Sequence, residues 1–232
     1  MRRAAVLLAL LALPAAAAIQ RQAHAYGTGS SFTPITATLS NCATNRGYLI
    51  VLLVTDYGHD VTTDTISSTS IPSGWSHGSN STSSTQENVA IWWAYSASVS
   101  NAETVTVTNG QYPAFFAACY SGTASSPLDQ QSVGPSQPGS VTPPQNNELI
   151  VTGSGNENTS SAPTVNDGFS ISDAIPESSG HYVGGGMADL VQTAAAAINP
   201  TWTETGGTPA TAIMTFKAAA AVASGGGFVI VM

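Results

Sequence analysis

Apolar runs and alternating stretches recur along this chain, with turn residues between them. Residues 48–54 form the longest apolar run, as expected for a strand covered on both faces, and residues 104–108 alternate strictly between Thr and Val. Similar patterns occupy residues 32–39, 89–95, 114–120, 148–152, 169–175, 187–192, 200–204 and 210–216. They predict about ten strands and no long helix. The expected fold is therefore an all-β antiparallel sandwich of the jelly-roll or immunoglobulin-like type.

Two stretches interrupt this pattern and define the domain organisation. Residues 55–86 are rich in Ser, Thr, Asn, Gly and Asp and predict surface loops, while the Pro- and Ser-rich residues 123–146 predict an extended connection. The flanking halves, 32–122 and 147–217, share ordered motifs: Leu-Ile-Val begins at both Leu49 and Leu149, and an aromatic follows Gly at both Trp75 and Phe169. We therefore expect two divergent pseudo-repeats that share one core.

The N-terminal residues have the features of a secretory signal peptide. Arg2 and Arg3 precede a short apolar run at residues 4–13, and Ala23-His24-Ala25 matches a cleavage site. This pattern predicts a signal peptide at 1–25, a β-sandwich at 26–218 and an Ala/Gly-rich tail at 219–232. An earlier cut near Ala18 is an alternative. The expected location is outside the cell, either secreted or at the cell surface, with no membrane span in the mature chain.

Composition narrows the possible partners and cofactors. Charged residues make up 8% of the chain, whereas 29 Ser and 27 Thr supply many small hydroxyl groups. Without residues 1–25, two basic residues face 13 acidic ones, a net charge of −11. Such a chain repels nucleic acid, whose binding requires a basic face. The sequence contains no cofactor fingerprint, so none is expected.

The chain has two cysteines, Cys42 and Cys119. An exported protein meets oxidising conditions, in which an even number of cysteines favours a disulfide. The sequence thus predicts a Cys42–Cys119 bond, and two buried free thiols are the alternative.

Acidic side chains cluster after the most apolar predicted strand. Asp56, Asp60 and Asp64 supply hard oxygen ligands, which makes them a calcium candidate, although the regular calcium-loop spacing is lacking. His59 with an acidic residue would be half of a zinc site, but the other histidines are distant in sequence. The remaining interpretation is a solvated polar loop, so we assign no metal ligands from sequence alone.

Aromatic residues and one short motif suggest further functions. Trp92, Trp93 and Trp202 are candidate sugar-stacking residues, and the alternative is that they pack in the core. Because Trp92 and Trp93 are adjacent, a strand would point them to opposite faces.

Gly74 to Gly78 matches the nucleophile-elbow pattern around Ser76, but the residues that follow do not favour the helix that this motif requires. Carboxylates near Glu157 and Asp167 could pair for glycoside hydrolysis only across a cleft. We expect no catalytic residues.

The C-terminal tail ends in five apolar residues, 228–232, after three glycines. Such a segment favours either an added edge strand or a loose tail. It could also pair with a neighbouring subunit and mediate self-association.

Several motifs also resemble a sequence type found in bacteria and phages. They are Ile71-Pro72-Ser73-Gly74-Trp75, the Trp92-Trp93-Ala94-Tyr95 strand, and Tyr120-Ser121-Gly122 followed by Pro127-Leu128-Asp129. The resemblance covers roughly residues 32–217 and implies a two-half, secreted or particle-surface β-sandwich without catalytic residues. Together with the composition, it predicts a non-enzymatic surface protein that binds or assembles. Its partner would be a glycan or cell-surface polymer, or another copy. The alternatives are a carbohydrate-binding module and a secreted hydrolase.

Overall fold

A computed structural model describes residues 18–221, apart from 31, 45, 47, 84–85, 157–159 and 179–181. Within these residues the paired strands of the named sheets are antiparallel, and a 3₁₀ turn, Val61–Thr63, follows the third strand. The prediction of an all-β antiparallel sandwich is confirmed. The strands in chain order are β1 (Gln20–Thr28), β2 (Ile35–Ser40), β3 (Leu49–Tyr57), β4 (Thr65–Ser68), β5 (Ser76–His77), β6 (Ser81–Thr82), β7 (Glu87–Tyr95), β8 (Ala102–Thr108), β9 (Ala114–Ser121), β10 (Thr123–Pro135), β11 (Glu148–Asn156), β12 (Thr164–Val165), β13 (Ser170–Ile175), β14 (Gly184–Gln192), β15 (Trp202–Thr203) and β16 (Ala210–Ala218).

Two large sheets pack face to face and form the main core. The central sheet has the order β1-β9-β3-β7-β5, with β6 also paired to β7, and the outer sheet has the order β10-β16-β11-β14-β13. Apolar side chains from both sheets fill the space between them, among them Leu53, Phe116, Met187 and Phe216. Alternate residues of each strand point into this layer, as the period of a pleated strand requires.

A third sheet covers the other face of the central sheet. This cover sheet has the order β2-β8-β4, and its Val105 and Val107 pack against Leu52 and Phe115. The central strand β3 is therefore covered on both sides, and all of its residues except Tyr57 are buried. Double coverage explains why its sequence is apolar without alternation.

The two large sheets share one strand arrangement. In each, a long strand at the start of the half (β3 or β11) lies between the last strand of that half (β9 or β16) and a middle strand (β7 or β14). The strand preceding each half, β1 or β10, pairs with that last strand at the sheet edge. This order is the one expected of two related halves. That the two halves are divergent copies of one repeat nevertheless stays a prediction.

Strand β1 occupies part of the predicted signal peptide. Ile19 is buried in the main core, and β1 pairs with β9 from Gln20 to Thr28. Arg21 donates to Asp189 of β14 at 2.7 Å, and Nδ1 of His24 lies 2.9 Å from a carboxylate oxygen of Asp173. A cut after Ala25 would remove most of this strand, and the predicted boundary at residue 25 stays a prediction. The alternative cut near Ala18 leaves β1 intact, and the signal peptide itself stays a prediction.

The structure contains the predicted disulfide. Cys42, just after β2 of the cover sheet, is bonded to Cys119 of β9 in the central sheet, and both side chains are fully buried. The bond ties the cover sheet to the central sheet. No helix in the part of the chain that the structure describes is long and apolar enough to cross a bilayer.

Candidate metal centre

The loop after β3 is held in a defined conformation by its own side chains. Asp60 precedes the 3₁₀ turn, and its Oδ1 accepts hydrogen bonds from the backbone N–H and the hydroxyl of Thr62, at 2.9 and 2.7 Å. Val61 in the turn is buried, and its carbonyl accepts a hydrogen bond from the indole N–H of Trp92 at 3.1 Å. The turn is thus anchored to the core beneath the cover sheet. This anchoring fixes the residues on either side of it, His59 and Asp64.

Three metal-ligating side chains converge at this turn. Asp56, at the end of β3, lies with His59 and Asp64 such that one ligand atom from each falls within 4.8 Å of the others. His59 Nδ1 is 3.4 Å from Asp56 Oδ2 and 3.5 Å from Asp64 Oδ1. The two carboxylate side chains are fully buried, whereas the His59 side chain is 28% exposed. The cluster is therefore a buried acidic pair with an imidazole on its solvent side.

Backbone groups position the Asp56 carboxylate. Its Oδ1 accepts from the N–H of Tyr57 at 2.6 Å, and its Oδ2 accepts from the N–H of Gln111 at 2.7 Å. Gly110 permits this close approach, because a Cβ at that position would lie 3.1 Å from Asp56 Oδ2 and still closer to Pro113. Each carboxylate oxygen has a second lone pair, so Oδ2 remains able to bind a metal ion while it accepts this hydrogen bond.

The hydrogen bonds of His59 determine which ring nitrogen carries the proton. Its Nε2 lies 3.3 Å from the hydroxyl oxygen of Thr63, and that hydroxyl donates its proton to the carbonyl of Asp60 at 2.8 Å. The Thr63 oxygen must therefore accept from Nε2–H. In the neutral imidazole, this tautomer leaves Nδ1 without a proton on the side that faces the two acidic residues. A histidine whose second nitrogen is fixed by a hydrogen bond in this way is typical of metal ligands.

The Asp64 carboxylate makes no hydrogen bond within the described residues, although both of its oxygens are buried. Burial, and to a lesser extent the charge of Asp60, raises its pKa to about 7. Burial likewise raises the pKa of Asp56 to about 8, against the lowering effect of its backbone hydrogen bonds. Both carboxyl groups therefore bind protons near neutral pH, and a metal ion held between them and His59 would take the place of those protons.

The ligand set favours zinc over calcium. Tetrahedral zinc with bonds of about 2.0–2.1 Å places neighbouring ligand atoms about 3.3–3.4 Å apart, close to the two measured His–Asp separations. Calcium takes six to eight oxygen ligands, and imidazole is not among them. Of the predicted calcium ligands, Asp56 and Asp64 converge with His59, whereas Asp60 caps the turn. The calcium interpretation stays a prediction.

The candidate sugar-stacking tryptophans lie in the interior. Trp92 and Trp202 are 6% and 2% exposed, and Trp93 is half-buried against Phe216 in the main core. Trp92 and Trp93 point to opposite faces of the central sheet, as predicted. The ring N–H of Trp202 donates to the hydroxyl of Thr152 at 3.1 Å. A flat platform for sugar would need an exposed ring, which Trp92 and Trp202 do not offer, and a sugar-stacking role for the half-buried Trp93 stays a prediction.

The other sequence candidates are dispersed. Ser76 is exposed in the short strand β5, and the next element is the strand β6, so the nucleophile elbow lacks its helix. Asp167 is exposed in a turn. Glu157 and the terminal segment 228–232 lie outside the described residues.

A second acidic cluster was not predicted. Ser154 donates to Glu204 Oε1 at 2.6 Å, and the fully buried Asn156 and Glu87 lie close enough to influence Glu204. Burial raises the pKa of Glu204 to about 7, and the nearby charge of Glu87 adds to this shift. This cluster could not be predicted from the sequence, because it joins residues from three separate strands and their loops.

This raised pKa predicts a pH-dependent stability. The unfolded chain loses the Glu204 proton near pH 4.3, whereas the folded chain keeps it until about pH 7. The free energy of unfolding should therefore fall as the pH rises through this window, by about 3 kcal/mol in total from this group. Glu204→Gln should match the wild type near pH 4 and exceed its stability at pH 8. Urea unfolding at both values measures the difference, and equal stability of the two proteins at pH 8 would refute it.

No family model, curated protein or solved structure matches this chain.

Proposed function

We propose that this chain is an exported, non-enzymatic binding protein whose functional element is a zinc-type metal site formed by Asp56, His59 and Asp64. One observation carries the proposal: the buried Asp64 carboxyl group lies 3.5 Å from Nδ1 of His59, and among the described residues neither group has a hydrogen-bond partner. The predicted signal peptide, the low charge and the disulfide support an extracellular setting for it.

The site supplies three protein ligands, which leaves a fourth tetrahedral position for an outside group. The partly exposed His59 lies on the open side, so the metal would be reachable from solvent. A fourth ligand from a partner would make binding metal-dependent, which agrees with the predicted role in binding or assembly. The resemblance to two-half surface proteins supports the same setting.

Zinc titration of the purified protein by calorimetry tests this proposal. We expect one equivalent to bind, and we expect Asp64→Asn to weaken the affinity by more than about 100-fold, since loss of a ligand costs at least as much as loss of an outer-shell partner. Asp60→Ser is the matched control: it keeps a capping side chain and should bind zinc as the wild type does. Cobalt should give the visible absorption of a tetrahedral site.

Two results would contradict the metal site. Unchanged zinc affinity in Asp64→Asn would place binding elsewhere, and calcium binding that requires Asp60 would restore the oxygen-only interpretation. Failure to bind either metal would leave the loop as a structural cluster and end the proposal.

A metal-dependent hydrolase is the second candidate function. The favouring observation is the count of three protein ligands, because catalytic zinc sites keep one position open for water. Turnover of ester, peptide or glycoside substrates by the zinc-loaded protein, lost in Asp64→Asn and retained in Asp60→Ser, would favour it over the binding role.

A further inference from the structure

A lysine and two acidic residues lie side by side on the outward face of the outer sheet. Lys217 of β16 has its Nζ 3.5 Å from Oδ1 of Asp129 on β10. The register that pairs Leu149 with Phe216 places Glu148 of β11 directly opposite Lys217. The three side chains thus come from three neighbouring strands, with the lysine on the middle one.

The contact between Lys217 and Asp129 is not an optimised ion pair. Charge-assisted hydrogen bonds of this kind are normally about 2.7–2.9 Å long, whereas this separation is 3.5 Å. The Asp129 side chain is only 12% exposed, and its second oxygen is buried without a hydrogen-bond partner among the described residues. A carboxyl group held in this way beside an amine is poorly solvated.

Glu148 adds a second acidic group, and the backbone N–H of Gln145 and the charge of Lys217 favour its ionised form. It is fully buried, and no side chain in the described part of the chain hydrogen-bonds to either of its oxygens. Burial, and next the charge of Asp129, raises the pKa of Glu148. One cation faces two carboxyl groups here, which favours the neutral form of Glu148.

We propose that Lys217 and Asp129 condense to a side-chain amide that cross-links β16 to β10, with Glu148 carrying the proton. This covalent bond would be independent of the metal site. It would lock the strand that connects the two halves onto the outer sheet.

The reaction balances without any co-reactant. Transfer of a proton from the Lys217 ammonium to the Asp129 carboxylate gives a neutral amine and a neutral acid. The amine nitrogen attacks Cγ of Asp129, and neutral Glu148 donates its proton to the departing hydroxyl while its other oxygen takes a proton from the nitrogen. The C–O bond breaks, an amide C–N bond forms, one water leaves, and Glu148 returns to its starting form.

Proximity supplies the driving force that this condensation lacks in bulk water. Groups held in reacting geometry behave as if present at effective concentrations of about 10⁵–10⁸ M. Lys217 borders a surface depression lined in part by Gln145 and Ala218, through which the released water can leave.

The sequence makes the test simple, because Lys217 is the only lysine in the chain. After reduction of the disulfide, the intact mass should be lower than that of the linear chain by one water. An amine-labelling reagent should then modify the unfolded chain at its N-terminus alone, and trypsin should not cut after residue 217. Fragmentation of the digest should give a branched peptide that joins Asp129 to Lys217.

Variants separate this reaction from accidental loss of water. Lys217→Arg keeps the charge but cannot form the bond, and it should have the full linear mass. Glu148→Gln should slow cross-linking by more than about 100-fold, and both variants should still bind zinc as the wild type does. Water loss at Asp167-Gly168 would give a cyclic imide, which leaves the lysine free for labelling.

A wild-type chain that keeps its full mass and a reactive lysine after prolonged incubation of the folded protein at neutral pH would overturn the proposal. Full cross-linking in Glu148→Gln would overturn the role of Glu148 alone. Circular dichroism of each variant shows whether it folds, and the wild-type mass decides the main question in either case.

Discussion

A chain that begins at Tyr26 should fail to fold, whereas a chain that begins at Ile19 should fold stably. The shorter chain lacks most of β1 and therefore leaves the edge of β9 without its partner. It also loses the buried Ile19 and the Arg21 guanidinium. Asp189, which is largely buried, would keep its hydrogen bond from Tyr120 but lose its only cation among the described residues. Breaking a buried ion pair on one side alone costs about 3–5 kcal/mol, a large part of the stability of a typical domain.

Both chains can be produced by removing a cleavable tag, and near-UV circular dichroism with urea unfolding compares them. Arg21→Gln in the longer chain measures the contribution of the ion pair separately. Equal stability of the two chains would show that β1 is dispensable, and the cleavage site predicted after Ala25 would then stand. Mass spectrometry of secreted protein should find an N-terminus near Ile19.

Removing the disulfide should destabilise the protein by about 4 kcal/mol. The bond closes a long loop, with 77 positions separating Cys42 from Cys119, and the chain-entropy model assigns a loop of this length roughly that value. The effect should be seen in the double variant Cys42→Ala/Cys119→Ala by chemical unfolding. The wild type under reducing conditions is the control and should lose a similar amount. Two thiols titrating in the unfolded, unreduced wild type would refute the bond.

The strands that could be predicted from sequence are those with a strong apolar pattern. The double coverage of β3 and the alternation of β8 could both be predicted from the sequence, because burial determines which residue types occur in these two strands. Strand β10 was predicted as an irregular connection, since it contains Pro127, Pro135 and several serines. It pairs only with β16 at the sheet edge, where a missing N–H is tolerated.

The candidate metal centre could be predicted only in part. The sequence placed Asp56, His59 and Asp64 in one loop, but nothing in their spacing showed that Asp60 would turn away to cap the 3₁₀ turn. The group formed by Lys217, Asp129 and Glu148 could not be predicted from sequence, because these residues are far apart in the chain and only strand register brings them together. Sequence patterns report local structure, and both groups depend on how distant strands pair.

The position of β1 also bears on the speed of folding. Its partner β9 lies about one hundred residues later in the chain, since Gln20 pairs with Ser121. The N-terminal strand is synthesised first, yet it has no place to dock until β9 has been made and has joined β3. Pairings this distant in sequence close slowly, because the entropy of a long loop is lost before the contact forms. During that interval β9 presents an open hydrogen-bonding edge, which makes the intermediate without β1 the species most prone to aggregate.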